Sequence, residues 1–299
     1  MRIDRVVVAP VLVVVVGALA LVGSTAAGTA GAASPPAHGP AITNWYRIPA
    51  THRALRATRS TWSSSNWSGY AETGHFTSVS GRWTVPSVTA GAADSNSTWY
   101  SSAWAGIDGY NNAHLIQTGT EQDVSGGIAH YSAWWEILPK AETTIPDPVL
   151  PGDSMSATIT QTLTAVPSAH GKKIKIVTKY WTIRLQDLSE GWTFVTTQVY
   201  KGPGSSAEFI VEAPLVGRSI STISDYRFAP GSAVGGDVNG AGVATSIGGP
   251  LVGAGLDYQN DSGTLVQGSL QVSTPGPQDP SATAFNSSYG AAEPAPPTS

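Results

Sequence analysis

Lys173-Ile-Lys-Ile-Val-Thr-Lys-Tyr-Trp-Thr-Ile-Arg-Leu185 is followed, after a short polar break, by Trp192-Thr-Phe-Val-Thr-Thr-Gln-Val-Tyr200. Both stretches are rich in β-branched and aromatic residues and alternate in polarity, which is the period of a strand rather than of a helix. Phe76-Thr-Ser-Val-Ser-Gly-Arg-Trp-Thr-Val85 reads the same way. Each is bounded by Gly, Pro, Ser, Asn or Asp, the residues that turns require. Between Trp62 and Ser273 roughly a dozen such segments follow one another, and apolar residues almost never recur at helical spacing. Many short strands without crossover helices predict an all-β antiparallel sandwich or barrel. A stretch of about 210 residues suits one such domain.

The composition agrees with an ordered protein. Of 299 residues, 41% are hydrophobic and 12% charged, with 10 Trp and no Cys. That is too apolar and aromatic for wholesale disorder. The net charge of −4 hides an asymmetry. Residues 1–60 hold Arg2, Arg5, Arg47, Arg53, Arg56 and Arg59 against the single acid Asp4, leaving 10 basic and 19 acidic residues for 61–299, a net of −9. An acidic body argues against nucleic acid as a partner. The absence of cysteine excludes disulfides, a thiolate nucleophile and Cys-type metal sites.

The two ends differ from the body. Arg2 and Arg5 precede an apolar run from Val6 to Val22, and small residues follow, including Ala30-Gly-Ala32. These are the parts of a secretory signal peptide, assigned to 1–33. The run lies at the short edge of what could span a bilayer, and Pro10, Gly17 and the small residues after it favour cleavage. The reading is therefore a secreted, extracellular monomer with no membrane attachment after signal cleavage. Residues 34–60, with four Arg, His38 and His52, form either a basic linker or a propeptide drawn to the acidic body. The catalytic domain is placed at 61–274. Residues 275–299 carry six Pro among 25 positions and read as a flexible tail.

With cysteine excluded, the remaining chemistries are Ser with His, a metal site, or carboxylates and amides. His75, His114, His130 and His170 form no ligand motif, and there is no Gly-x-Ser-x-Gly elbow or phosphate-binding glycine loop. No metal and no cofactor are predicted. Carboxylates and amides become informative once placed on the strand period of two. Trp104 and Asp108 share a face, Gln117 shares one with Leu115, Trp134 with Glu136, and Glu208 with Ile210 and Glu212. Faces that mix aromatic walls with a few directed polar groups can line a groove for a substrate. Each element also has a plainer reading, since a Trp is usually core and a lone strand Glu usually faces solvent.

These segments, in this order, resemble the glutamic peptidases, or eqolisins, a family of secreted acid endopeptidases. The matching stretches are Ser65-Asn-Trp-Ser-Gly-Tyr-Ala71, Val79-Ser-Gly-Arg-Trp-Thr-Val-Pro86, Ala103-Trp-Ala-Gly-Ile-Asp-Gly109, Leu115-Ile-Gln-Thr-Gly119, Ala133-Trp-Trp-Glu136 and Ala207-Glu-Phe-Ile-Val-Glu212. The resemblance implies a lectin- or jelly-roll-like sandwich of two curved antiparallel sheets, each of about seven strands. It implies a catalytic dyad of Gln117 and Glu212, with Glu208 as the near competitor for the acid. Trp104, Asp108, Trp134, Glu136 and Glu208 are implied to line the substrate cleft, and protein or peptide substrates are the implied partners. Two features depart from the fungal members: there are no cysteines, and Ser132 stands where an acid is common.

In the chemistry the resemblance implies, Glu212 removes a proton from water and later delivers it to the leaving nitrogen. Gln117 cannot titrate, so its amide donates to the oxyanion while its carbonyl helps hold the water. Only Glu212 need be ionised, which for a free glutamate of pKa about 4.3 is partly true in mild acid. Residues 34–60 are expected to mask the cleft until acid weakens the attraction and self-cleavage releases them. Two other classes remain open on the residues alone. A carbohydrate-binding or glycoside-cleaving sandwich would need Glu136 and Glu212 as its two carboxyls. A non-catalytic binding module would tolerate the loss of either member of the dyad.

Overall fold

The computed structural model describes residue 38, residues 43–44, 62–90, 98–167, 174–216, 219–221, 223–228, 234–240, 243–246, 250–251, 254–255, 262–267, 270–279 and 284–297. All lie in the unit Ser34–Ser299. The signal-peptide assignment, and all of 34–60 but His38 and Thr43–Asn44, fall outside the described residues. Among the described residues there is no helix, as the alternating pattern requires, and so none that could cross a membrane.

The principal strands, in chain order, are β1 (Trp67–Thr73), β2 (Phe76–Thr84), β3 (Ser102–Ile107), β4 (Ile116–Ser125), β5 (Ile128–Ile137), β6 (Ser154–Pro167) and β7 (Ile174–Asp187). They continue as β8 (Thr193–Val199), β9 (Ser206–Glu212), β10 (Val234–Gly240), β11 (Ser262–Gln267), β12 (Leu270–Gln278) and β13 (Ala284–Tyr289). The two stretches that suggested a β protein are β7 and β8, paired antiparallel from Tyr180 opposite Val199 to Gln186 opposite Thr193.

Two layers pack face to face. One runs β5–β4–β3–β9–β1 and continues through β11 and β12. The other runs β8–β7–β6–β2–β10. Between them lie Ala103, Ile107, Ile116 and Phe209 from the first layer and Val79, Trp83, Met155, Ile159, Trp181 and Ile183 from the second. Trp83 Nε1 donates to Thr120 Oγ1 across the gap at 2.9 Å, so its indole is both packed and satisfied.

The count of about seven strands in each of two separate sheets takes a different form here. β13 pairs with β12 of one layer and β10 of the other, so among the described residues hydrogen bonds join the layers into one 17-stranded network. The same strand corrects the expectation of a flexible tail from residue 275. The Pro-rich end enters the sheet because Phe285 is fully buried in the core and its ring packs tilted by 47° against Tyr70, centroids 4.5 Å apart. Its prolines do not prevent this, since β12 and β13 pair through an irregular register between Pro275 and Gln278.

One turn fixes the register on which the site depends. Ser125 pairs with Ile128 across Gly126-Gly127, whose φ values of 57° and 77° are those of a two-residue type I′ hairpin. Counting back from that turn sets Glu121 opposite Ser132, Gly119 opposite Trp134 and Gln117 opposite Glu136.

Candidate active site

Directly paired residues on adjacent strands project to the same side of a sheet. The registers of β5, β4, β3, β9 and β1 therefore generate three rows on the face turned away from the inter-layer core. The first row is Glu136, Gln117, Gly106, Glu208 and Ala71; the second is Trp134, Gly119, Trp104, Ile210 and Gly69; the third is Ser132, Glu121, Ser102, Glu212 and Trp67. All the predicted site residues except Asp108 stand on this lattice, with acids and amides in the outer rows and aromatics between.

Small residues in the lattice make room for large ones. A Cβ on Gly119 would lie 2.4 Å from the Ala103 carbonyl oxygen and 2.5 Å from Trp104 Cβ, so the Trp104 side chain occupies space that only glycine leaves free. Trp104 meets Trp67 edge-to-face, with ring centroids 4.9 Å apart, and both belong to a second apolar cluster with Trp134, Leu115 and Ile210.

Glu212 ends β9 and is fully buried. Its Oε2 accepts from Trp104 Nε1 at 2.8 Å and its Oε1 from Asn66 Nδ2 at 3.4 Å. Asn66 is itself oriented by Ser64 Oγ, which donates to its side-chain oxygen at 2.7 Å. Gln117, also fully buried, donates from Nε2 to Glu136 Oε2 at 2.8 Å, while Gln117 Oε1 makes no hydrogen bond. Burial pushes the Glu136 carboxyl up to about 8, against the lowering effect of His38 and Gln117. Glu136 thus holds one end of the Gln117 amide and leaves its oxygen without a hydrogen bond.

Glu208 stands in the Gln117 row, and its environment is different. Burial, reinforced by nearby Asp108, raises its carboxyl well above the usual range and favours the neutral form. Asp108 takes a left-handed backbone conformation, φ 69°, just beyond β3. Its Oδ2 accepts from Tyr200 Oη at 2.6 Å and Gly204 N at 2.9 Å, and its Oδ1 from Ser205 N at 2.7 Å and Asn112 Nδ2 at 3.0 Å. With both oxygens engaged, Asp108 clasps the segment before β9 to the end of β3.

One functional residue escaped sequence reasoning. His38 lies in the site, its side chain fully buried. The ring stacks on Trp134 with centroids 3.7 Å apart and planes 14° from parallel. Nδ1 donates to Glu212 Oε2 at 3.1 Å, and Nε2 reaches Glu142 Oε2 at 3.1 Å and Glu121 Oε1 at 3.3 Å. Burial alone would lower its pKa, but the hydrogen bonds to Glu121, Glu142 and Glu212 outweigh it and hold the imidazole well above 6.5. Glu121 is pushed up to about 7 by burial, partly countered by His38. Separated from Glu212 by 174 positions, His38 carried no local signal that could have placed it there. His38, Glu121 and Glu142 also offer ligand atoms within 4.8 Å of one another. His75, His114 and His130 are exposed.

The sequence model of the Peptidase A4 family matches residues 65–230, more than half of the chain and the whole of this lattice. The chain belongs to the peptidase A4 family. Scytalido-glutamic peptidase with a transition state analog inhibitor is 22% identical, with a TM-score of 0.55, over 75% of this A4 peptidase and 98% of that chain. The same peptidase with a peptide-based analog gives 21% and 0.54 over the same shares. SCP-B of the eqolisin family, in a complex with the tripeptide Ala-Ile-His, gives 21% and 0.51, again over 75% and 98%. These likenesses show the sandwich fold. None of the curated proteins matches the sequence. The resemblance to glutamic peptidases is thus met by both family and fold, and the A4 peptidase carries Gln117, Glu136, Trp104, Trp134 and Glu212 on one sheet face.

Proposed function

We propose that this A4 peptidase is a secreted acid endopeptidase in which Glu212 is the general base and acid and Gln117 stabilises the oxyanion. The observation that carries the reading is the contrast between the two acids of β9. Glu212 accepts N–H donors from Trp104 and Asn66 as well as from His38, whereas burial holds Glu208 in the neutral form, unfit to take a proton.

The steps balance on these groups. A water held by Glu212 and Gln117 Oε1 gives its proton to the Glu212 carboxylate as its oxygen attacks the peptide carbonyl. The oxyanion accepts from the free Gln117 N–H, in a site where the donor is already oriented by Glu136. Glu212 then protonates the leaving nitrogen, the C–N bond breaks, and the carboxylate is restored. Trp104 and Trp134 supply apolar walls for the peptide, and no cofactor enters any step. In the uncleaved chain His38 occupies Glu212 Oε2, so the segment carrying it must leave before water can take that place. That requirement supports the propeptide reading of residues 34–60.

The test is hydrolysis of a denatured protein across pH 2–7. Gln117→Ala should lower the rate on the order of 100- to 1,000-fold, and Glu212→Gln should lose at least on the order of 100-fold. Glu208→Gln should retain most of it. Unchanged cleavage by either of the first two variants would overturn the dyad. Loss only in Glu136→Gln and Glu212→Gln, with Gln117→Ala intact and a polysaccharide cut instead, would establish glycosidase chemistry.

A further inference from the structure

The pocket around His38 has more acceptors than the dyad needs. Glu121 comes from β4 and Glu142 from the segment after β5, and neither has a part in the hydrolytic steps. Both converge on Nε2 of a ring that lies flat on Trp134, while Nδ1 at the opposite edge reaches Glu212. Ser102 Oγ lies 3.5 Å from the same Nδ1. A planar cation with N–H groups on two edges, an imidazolium or a guanidinium, satisfies this arrangement, and the group the structure seats there is the His38 imidazole. A lysine, with a single terminal ammonium and no flat face, could not stack on the indole and span both sets of acceptors.

Resting on the reading of Glu212 as the base, we infer that Trp134, Glu121, Glu142 and Glu212 form a binding site for histidine side chains of peptides, and that its occupants inhibit the enzyme. His38 is the resident ligand. Inhibition follows from the geometry, because the occupant's Nδ1 takes the Glu212 oxygen that would otherwise receive the proton of water. A peptide bearing histidine at this point is therefore a competitor, and affinity is set by two carboxyls outside the dyad.

The experiment uses the full-length His38→Ala chain, which removes the resident imidazole. Pro-Ala-His-Gly-Pro, the sequence of residues 36–40, is compared with Pro-Ala-Ala-Gly-Pro and Pro-Ala-Lys-Gly-Pro, in buffer with and without EDTA. Binding is read by calorimetry and tryptophan fluorescence, and inhibition by hydrolysis of denatured protein. The histidine peptide should bind and inhibit competitively, at least ten-fold more tightly than the other two and regardless of EDTA. Adding Glu142→Gln should remove most of that margin without altering the weak binding of the alanine peptide. Equal binding of histidine and alanine peptides to a chain that still hydrolyses protein would overturn the pocket and leave the peptidase reading standing. Selective histidine binding by a chain that hydrolyses no protein at any pH would do the reverse. Selectivity that vanishes with EDTA would show a metal-bridged contact and also overturn the pocket. If His38→Ala does not fold, the wild-type chain supplies the test. The His38 ring protons should titrate at lower pH in Glu142→Gln, and an unchanged titration would count against the site.

Discussion

Two glutamates on one strand face illustrate how environment assigns chemistry to identical side chains. The strand period placed Glu208 and Glu212 on the same side, and nothing in the sequence pattern alone could divide them. What divides them is the neighbourhood: Asp108 and burial at one, Trp104 and Asn66 at the other. His38 is the corresponding residue-scale case for pH. A histidine in an unfolded chain titrates near 6.5, and the docked imidazole does so well above that. The stabilisation it contributes is therefore complete below about pH 6.5 and is lost as pH rises through the higher, docked value, so at His38 mild acid strengthens the contact, against the expectation that acid weakens the hold of residues 34–60. Glu121 has the same sign at lower pH: burial pushes it up to about 7, so its contribution is complete below the ordinary glutamate value of about 4.3 and is lost by about pH 7. The full-length chain should melt at progressively lower temperature as pH rises above about 6.5. Thermal denaturation of His38→Ala should show a flatter profile over that range. Equal slopes would mean that the docked imidazole is not the titrating group.

At the scale of elements, the hairpin of β4 and β5 carries the site. The sequence pattern showed that Gln117 and Glu136 lie on polar and aromatic faces, but not that they are partners. Their pairing follows from the two-residue loop Gly126-Gly127, and a slip of one position would turn every side chain of β5 to the opposite face. The left-handed conformations of both glycines are disfavoured for a β-branched residue. Gly127→Val should cost about 1–3 kcal/mol by chemical denaturation and lower proteolysis through misplacement of Glu136. Activity and stability indistinguishable from wild type would show that the loop does not set the register.

For the whole molecule, the strand pattern made the all-β sandwich legible, and the order of aromatic and acidic segments made the family so. The closing strand was hidden by composition, since six prolines and many small residues resemble a linker. The burial of Phe285 against Tyr70 depends on tertiary packing that local composition does not record. A chain ending at Thr274 should lose that packing and the pairing of β13 with both layers. Loss of a buried phenylalanine alone costs about 3–5 kcal/mol, so the truncated protein should be insoluble or melt far below the full chain. A soluble truncation with an unchanged melting point would return residues 275–299 to the role of a tail.

On the proposed inhibition, the position of His38 also bears on how long the uncleaved enzyme would stay silent. Residues 39–61 join the imidazole covalently to the domain, and a covalent link makes rebinding intramolecular. While the tether is whole, each departure is followed by prompt return. A single cut within it converts that return into a bimolecular encounter at whatever concentration the released segment has outside. Dilution then makes activation a one-way event, with no change in the pocket itself.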